Sequence, residues 1–120
     1  MFKVVAFEDY LEREKGKPCL FALVRERGFL RRWEVLLAAS WAEGNPDAVR
    51  REVMRELVSW LAYDERLDFG GVRVLPPCDP FVCSLLERVK GHELLHELRA
   101  TVIGGVEIER AFIINSCRAG

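Results

Sequence analysis

The two histidines of this sequence lie four residues apart, and a glutamate directly follows the first of them. They are His92 and His96, with Glu93 beside His92. Side chains at this spacing project from the same face of a helix, so both imidazoles can bind one Zn²⁺ there. A glutamate in this position can polarise a metal-bound water. The motif predicts a zinc site with His92 and His96 as ligands and Glu93 as the general base of a metal-dependent hydrolase.

The segment around this motif, Gly91 to Leu98, resembles the HExxH helix of zinc-dependent metallopeptidases. The resemblance covers about one helix and implies the roles given above. A peptidase of this kind needs a third protein ligand, and the sequence has no third histidine. The alternative is a core helix whose imidazoles find hydrogen-bond partners, because Val82, Leu85 and Val89 would share the same helical stripe.

Two cysteines offer a different zinc site. Cys78 and Cys83 precede the histidines in the pattern C-x4-C-x8-H-x3-H. Thiolate and imidazole are the ligands that structural Zn²⁺ prefers. Cys19 and Cys117 complete the set of four. In a cytosol all four would be free thiols, whereas in a hyperthermophile they could be disulfides, and sequence alone selects no pairing.

A cluster of arginines surrounds the turn at Gly28, with aromatic residues between them. The arginines are Arg25, Arg27, Arg31 and Arg32. Guanidinium groups bind phosphates and aromatic faces stack on bases, so an arginine-rich hairpin predicts a contact with nucleic acid. Glu26 and Glu34 lower the net positive charge of this arginine cluster. The alternative is a solvated hairpin whose arginines pair with nearby carboxylates.

The first half of the sequence predicts a three-stranded antiparallel meander followed by a helix. Residues 2–10, 19–24 and 30–41 have strand patterns separated by charged or glycine-containing turns. The middle segment is continuously apolar, as in a central strand covered on both faces. Asn45 and Pro46 are typical of a helix start, and apolar residues from Val49 to Leu61 follow at helical spacing.

The second half predicts a short strand, a helix and a β-hairpin. Val72–Leu75 is the strand, which follows a break at Gly70-Gly71. Residues 81–98 have a helical pattern, with a break at Gly91 as an alternative to a continuous helix. Residues 99–103 and 106–115 flank a Gly-Gly turn. The order β-β-β-α-β-α-β-β predicts a single α+β domain with a mixed sheet and helices packed on it.

The predicted element order is similar to that of the ribonuclease-H-like fold. Enzymes of that fold bind two divalent metals through acidic residues, which would make this chain a metal nuclease. The candidates in this sequence are Glu8 or Asp9, Glu52 or Glu56, and Asp79. Asp79 has an alternative role as a helix N-cap before Pro80.

Composition excludes some classes of protein. Half of the residues are hydrophobic and 31% are charged, so the chain is not disordered. The net charge of −1 favours neither nucleic acid nor an anionic membrane for the molecule as a whole. No membrane span or signal peptide is visible, so we expect a cytoplasmic protein. Glutamine is absent and most basic residues are arginine, which suits a thermophile or a GC-rich gene.

Apolar strands also predict self-association. Two predicted strand segments are partly apolar on both faces: Cys19–Val24 and Val35–Trp41. The segment Ala111–Ile114 is also apolar. With two substantial helices predicted, part of this sheet would lack a cover. We therefore expect a homo-oligomer that buries a sheet face or edge against its copy. The remaining alternative for function is a structural or assembly protein with no active site.

Overall fold

The computed structural model describes residues 2–28, 32–88 and 96–116, and this part of the chain forms helices on both faces of a five-stranded sheet. The elements in chain order are α1 (Phe2–Lys15), β1 (Leu20–Glu26), β2 (Trp33–Ala38), α2 (Pro46–Trp60), α3 (Tyr63–Leu67), β3 (Phe69–Leu75), α4 (Pro80–Glu87), β4 (His96–Ile103) and β5 (Val106–Ser116). A short 3₁₀ turn, Ser40–Ala42, follows β2.

The strands lie in the order β3-β2-β1-β5-β4. Strands β2 and β3 are parallel, and the other neighbours are antiparallel. The parallel pair requires a crossover connection, which α2 and α3 provide. The sheet is therefore mixed, and the predicted α+β class is confirmed.

Alternate residues of the central strands contribute to two hydrophobic cores, one on each face of the sheet. Phe21 and Leu23 of β1 point to the face covered by α1 and α2. Leu20 and Ala22 point to the face where α4 contributes Val82 and Leu85. Strand β1 is buried on both sides, as its continuous apolar run predicts.

The first segment is a helix, so the predicted strand over residues 2–10 is wrong. Its buried apolar residues are Val4, Phe7 and Leu11, whose spacing is that of a helix face. The β-branched pair Val4-Val5 favours a strand locally, but packing of this face against the sheet outweighs that preference. Helix α1 ends where Gly16 takes a φ of 113°, and the indole of Trp41 donates to the Gly16 carbonyl at 3.2 Å.

The crossover helix begins as predicted. The Asn45 side chain accepts a hydrogen bond from the Ala48 amide at 3.3 Å, and Pro46 occupies the first turn of α2. Strand β2 ends at Ala38, earlier than predicted, because the chain turns into the 3₁₀ segment. The two glycines Gly70-Gly71 lie within β3 instead of preceding it.

The predicted C-terminal hairpin is confirmed, with one change. Gly104 and Gly105 both have positive φ, 56° and 81°, as a two-residue turn between right-twisted strands requires. Strand β4 begins at His96, which is earlier than the sequence pattern predicts.

The apolar strand residues that suggested self-association are buried within one copy of the chain. Leu36, Leu37 and Ile113 are each at most 2% exposed. A homo-oligomer was expected because part of the sheet would lack a cover. The burial of these residues removes that reason, and the homo-oligomer stays a prediction. In the part of the chain that the structure describes, no helix is both long enough and apolar enough to cross a membrane.

Candidate functional site

The histidine motif does not lie on one continuous helix. Helix α4 ends at Glu87, and His96 is the first residue of β4, opposite Ile113 of β5. The predicted helix over residues 81–98 is therefore wrong at its C-terminal end. Leucine and glutamate favour a helix, but pairing with β5 satisfies the backbone of residues 96–98 and packs Leu98 against the α4-side core. His92 and Glu93 lie outside the described residues, and the zinc site stays a prediction.

The cysteines of the second zinc pattern lie at the start of α4. Cys78 and Cys83 are both exposed free thiols, and the Cys83 sulfur lies 3.9 Å from the Pro77 carbonyl. Cys19 precedes β1 and is partly buried, while Cys117 lies outside the described residues. Within residues 2–28, 32–88 and 96–116, no group of three or more histidine, cysteine or acidic side chains is placed to hold a metal ion.

The arginine cluster is divided between the protein interior and solvent. Arg25 is half-buried: its guanidinium lies 4.8 Å from the centre of the Trp33 ring and 3.3 Å from a Glu109 carboxylate oxygen. Arg27 and Arg32 are exposed, and Arg31 lies outside the described residues. Arg25 thus pairs with a carboxylate, as the alternative interpretation of the cluster expects. A nucleic-acid contact through Arg27, Arg31 and Arg32 stays a prediction.

The nuclease candidates lie on opposite faces of the sheet. Glu8, Glu52 and Glu56 belong to helices α1 and α2, whereas Asp79 caps α4 on the other face by accepting from the Phe81 amide at 2.8 Å. The chain also begins with a helix instead of a strand. The observed element order therefore differs from the ribonuclease-H-like order at its first element. The structure also does not bring the acidic candidates together.

Glu8 is a buried carboxyl that makes specific contacts. It is 6% exposed, and the Asn115 amide donates to it at 2.7 Å and to Glu12 at 3.1 Å. Burial raises the pKa of the Glu8 carboxyl above its ordinary 4.5. The hydrogen bond from Asn115 offsets part of this rise, and the nearby carboxylates of Glu12 and Asp9 add to it. This group ties α1 to the end of β5.

A cavity of about 480 Å³ opens where α1 begins and α2 ends over the sheet. We call it the aromatic pocket. It is lined by Lys3, Val4, Leu23, Trp33, Leu57, Leu61, Glu65, Asp68, Phe69, Arg110 and Phe112. These residues come from α1, α2, α3, the residues just after α2 and α3, and four strands of the sheet, so the tertiary fold alone assembles the pocket.

The floor of the aromatic pocket is a row of apolar side chains across neighbouring strands. Phe69 of β3 is in register with Trp33 of β2, and Leu23 of β1 is in register with Phe112 of β5. The rings of Trp33 and Phe112 are 5.8 Å apart, tilted by 35°. Trp33, Phe69 and Phe112 are only partly buried. They therefore present aromatic surface to the cavity.

Ionisable groups form the rim. Lys3 and Glu65 form an ion pair at 2.5 Å, which joins α1 to α3. Two hydrogen bonds to the Glu65 carboxylate lower its pKa: the larger effect comes from Lys3 and the smaller from the Ala62 amide. Arg110 stacks 4.8 Å from the centre of Phe112 and pairs with Glu97 at 2.6 Å. Three of the four ionisable rim residues are therefore engaged in ion pairs.

A second cavity of about 550 Å³ lies beside β4 and β5. Its lining includes Arg27, Glu107 and Glu109, and most of its lining residues are exposed. Ala100 of β4 contributes to it with a left-handed φ of 42°. Small-molecule sites are mostly apolar with a few polar groups, so the aromatic pocket is the better candidate.

Sequence reasoning missed the aromatic pocket. Trp33 and the apolar stretch around Phe112 were visible as strand residues, but nothing in their spacing places them together. Comparisons of the chain with protein families, with curated proteins and with solved structures gave no match. The geometry of the pocket is consequently the basis for a functional proposal.

Proposed function

We propose that this chain is a binding module that holds a small amphipathic molecule in the aromatic pocket. The observation that supports the proposal is the cavity itself. It has a volume of about 480 Å³, an aromatic floor and a charged rim. Ligand sites typically have volumes of about 300–1,000 Å³ and a mainly apolar lining with few polar groups.

The partly buried floor gives such a ligand a source of affinity. Trp33, Phe69 and Phe112 keep part of their surface in contact with solvent. A ligand that covers this surface removes apolar area from water, which is favourable by about 25 cal/mol per Å². Leu57 and Val4, at most 9% exposed, provide a packed wall that needs no rearrangement.

The rim favours binding over catalysis. A general base works best with a pKa near the operating pH. The pKa of Glu65 is instead lowered by its hydrogen bonds from Lys3 and the Ala62 amide. Lys3 and Arg110 are each paired with a carboxylate. These groups orient a ligand more readily than they transfer a proton.

The proposal can be tested with N-phenylnaphthylamine, a neutral probe whose fluorescence rises in apolar surroundings. The protein is titrated into a fixed low concentration of probe. At about 0.3 kcal/mol per non-hydrogen atom, we expect a binding free energy of about 5 kcal/mol, or a dissociation constant of about 0.2 mM. A saturable rise in fluorescence supports the proposal, and no rise refutes it.

Two matched variants locate the probe. Leu61→Trp places a large side chain in the aromatic pocket, and Leu67→Trp makes the same change on the exposed side of α3, where Leu67 is 60% exposed. We expect probe binding to be lost in the first variant and retained in the second. Equal binding by both variants, with unchanged thermal unfolding, would place the probe elsewhere and contradict the proposal.

A further inference from the structure

We infer that the ligand of the aromatic pocket is an organic cation, an ammonium or guanidinium group carried on an apolar body. The inference rests on the proposed binding function and adds the sign of the ligand charge. It follows from how the charges of the rim are already paired, from the position of Asp68, and from the aromatic character of the floor.

Among the described residues, the rim carries one carboxylate without a charged partner. Lys3 pairs with Glu65, and Arg110 pairs with Glu97, a carboxylate that Arg99 also contacts. Asp68 also lines the cavity, and no cationic side chain among the described residues pairs with it. An anionic ligand would compete with an existing carboxylate for Lys3 or Arg110. A cationic ligand finds an acceptor without breaking an ion pair.

The backbone holds Asp68 in a defined position. Its carbonyl accepts a hydrogen bond from the Trp33 amide at 2.8 Å, and its amide donates to the Glu65 carbonyl at 3.3 Å. These bonds fix the residue between α3 and the start of β3. Asp68 is solvent-exposed and lines the end of the pocket where Phe69 and Trp33 lie side by side.

Aromatic rings attract cations through the negative potential of their faces. The chain already uses two floor rings in this way, because Arg25 lies over Trp33 and Arg110 over Phe112, both at 4.8 Å. Phe69 has no such cation among the described residues. A ligand ammonium near Asp68 would lie beside this third ring and gain from both interactions.

Three competitors with the same body test the sign of the charge: 3-phenylpropylamine, 3-phenylpropanol and 3-phenylpropanoate. Each displaces N-phenylnaphthylamine from the wild-type protein at pH 7 and low salt. We expect the amine to compete at about a fivefold lower concentration than the alcohol, as for a solvent-exposed ion pair with an aromatic contact. The carboxylate is expected to compete more weakly than the alcohol.

Asp68→Asn should bring the amine to the level of the alcohol. Asp64→Asn is the matched control, because it removes the same charge from α3 at a residue that does not line the pocket. Equal competition by amine and alcohol, or stronger competition by the carboxylate, would overturn the inference while leaving the proposed function intact. Failure of the neutral probe to bind the wild-type protein would overturn both.

Discussion

Replacing Glu8 by glutamine should stabilise the protein at neutral pH. The carboxyl is 6% exposed and shares the Asn115 amide with Glu12. A glutamine at this position keeps the oxygen that accepts from Asn115 and offers an N–H toward Glu12. It removes the charge that burial disfavours.

The sign of the effect follows from the raised pKa of Glu8. The folded state binds the proton more tightly than the unfolded chain, so the free energy of unfolding falls as pH rises from about the ordinary value of 4.5 through the folded pKa. Above that range the full cost of the charged carboxylate is present. A buried polar group whose hydrogen bonds are incompletely satisfied costs about 1–3 kcal/mol. We expect Glu8→Gln to gain on the order of 1 kcal/mol at pH 7 and nothing below the ordinary pKa.

Urea denaturation of both proteins between pH 4 and pH 8 measures this difference. Glu14→Gln is the control, because Glu14 is an exposed glutamate on the same helix. The difference between wild type and Glu8→Gln should grow with pH, whereas the control should stay within about 0.5 kcal/mol of wild type. A difference independent of pH, or a less stable variant at pH 7, would refute the assignment of Glu8 as a buried carboxyl that resists ionisation.

The remaining predictions concern a helix cap, the core and the zinc motif. Asn45→Ala should cost about 1 kcal/mol in thermal denaturation, because it removes the acceptor for the Ala48 amide at the start of α2. Leu57→Ala should cost about 3 kcal/mol in urea denaturation, because Leu57 is fully buried between α2 and the sheet. If the histidine motif binds metal, elemental analysis of the purified protein should find about one zinc per chain, lost in His96→Ala. A metal-free protein would argue against that site.

The elements with strong local signals were predictable from sequence. Asn45 and Asp79, each followed by proline, mark the starts of α2 and α4, and both side chains accept hydrogen bonds from the first turn. Gly104-Gly105 marks the hairpin because its turn needs positive φ at both residues. In these places the backbone requirement is local, so a short stretch of sequence is sufficient.

The two segments that were assigned to the wrong kind of element have a common physical cause. The segment at Val4-Val5 has strand propensity but forms a helix, and residues 96–98 have helix propensity but form a strand. In each case the partner that decides the conformation is distant in sequence: the sheet face for α1, and β5 for His96. Propensity differences are small compared with the burial and backbone pairing that the tertiary fold provides.

The aromatic pocket follows from the topology of the crossover. Because β2 and β3 are parallel, both strands begin at the same end of the sheet, and the connection through α2 and α3 must return the chain there. The return places Asp68 against the backbone of Trp33 and sets Phe69 beside it. Helix α2 ends at Trp60 before it covers this end, so the aromatic row keeps part of its surface open. A carboxylate next to aromatic rings is thus a consequence of how the strands pair, and no contiguous motif could have revealed it.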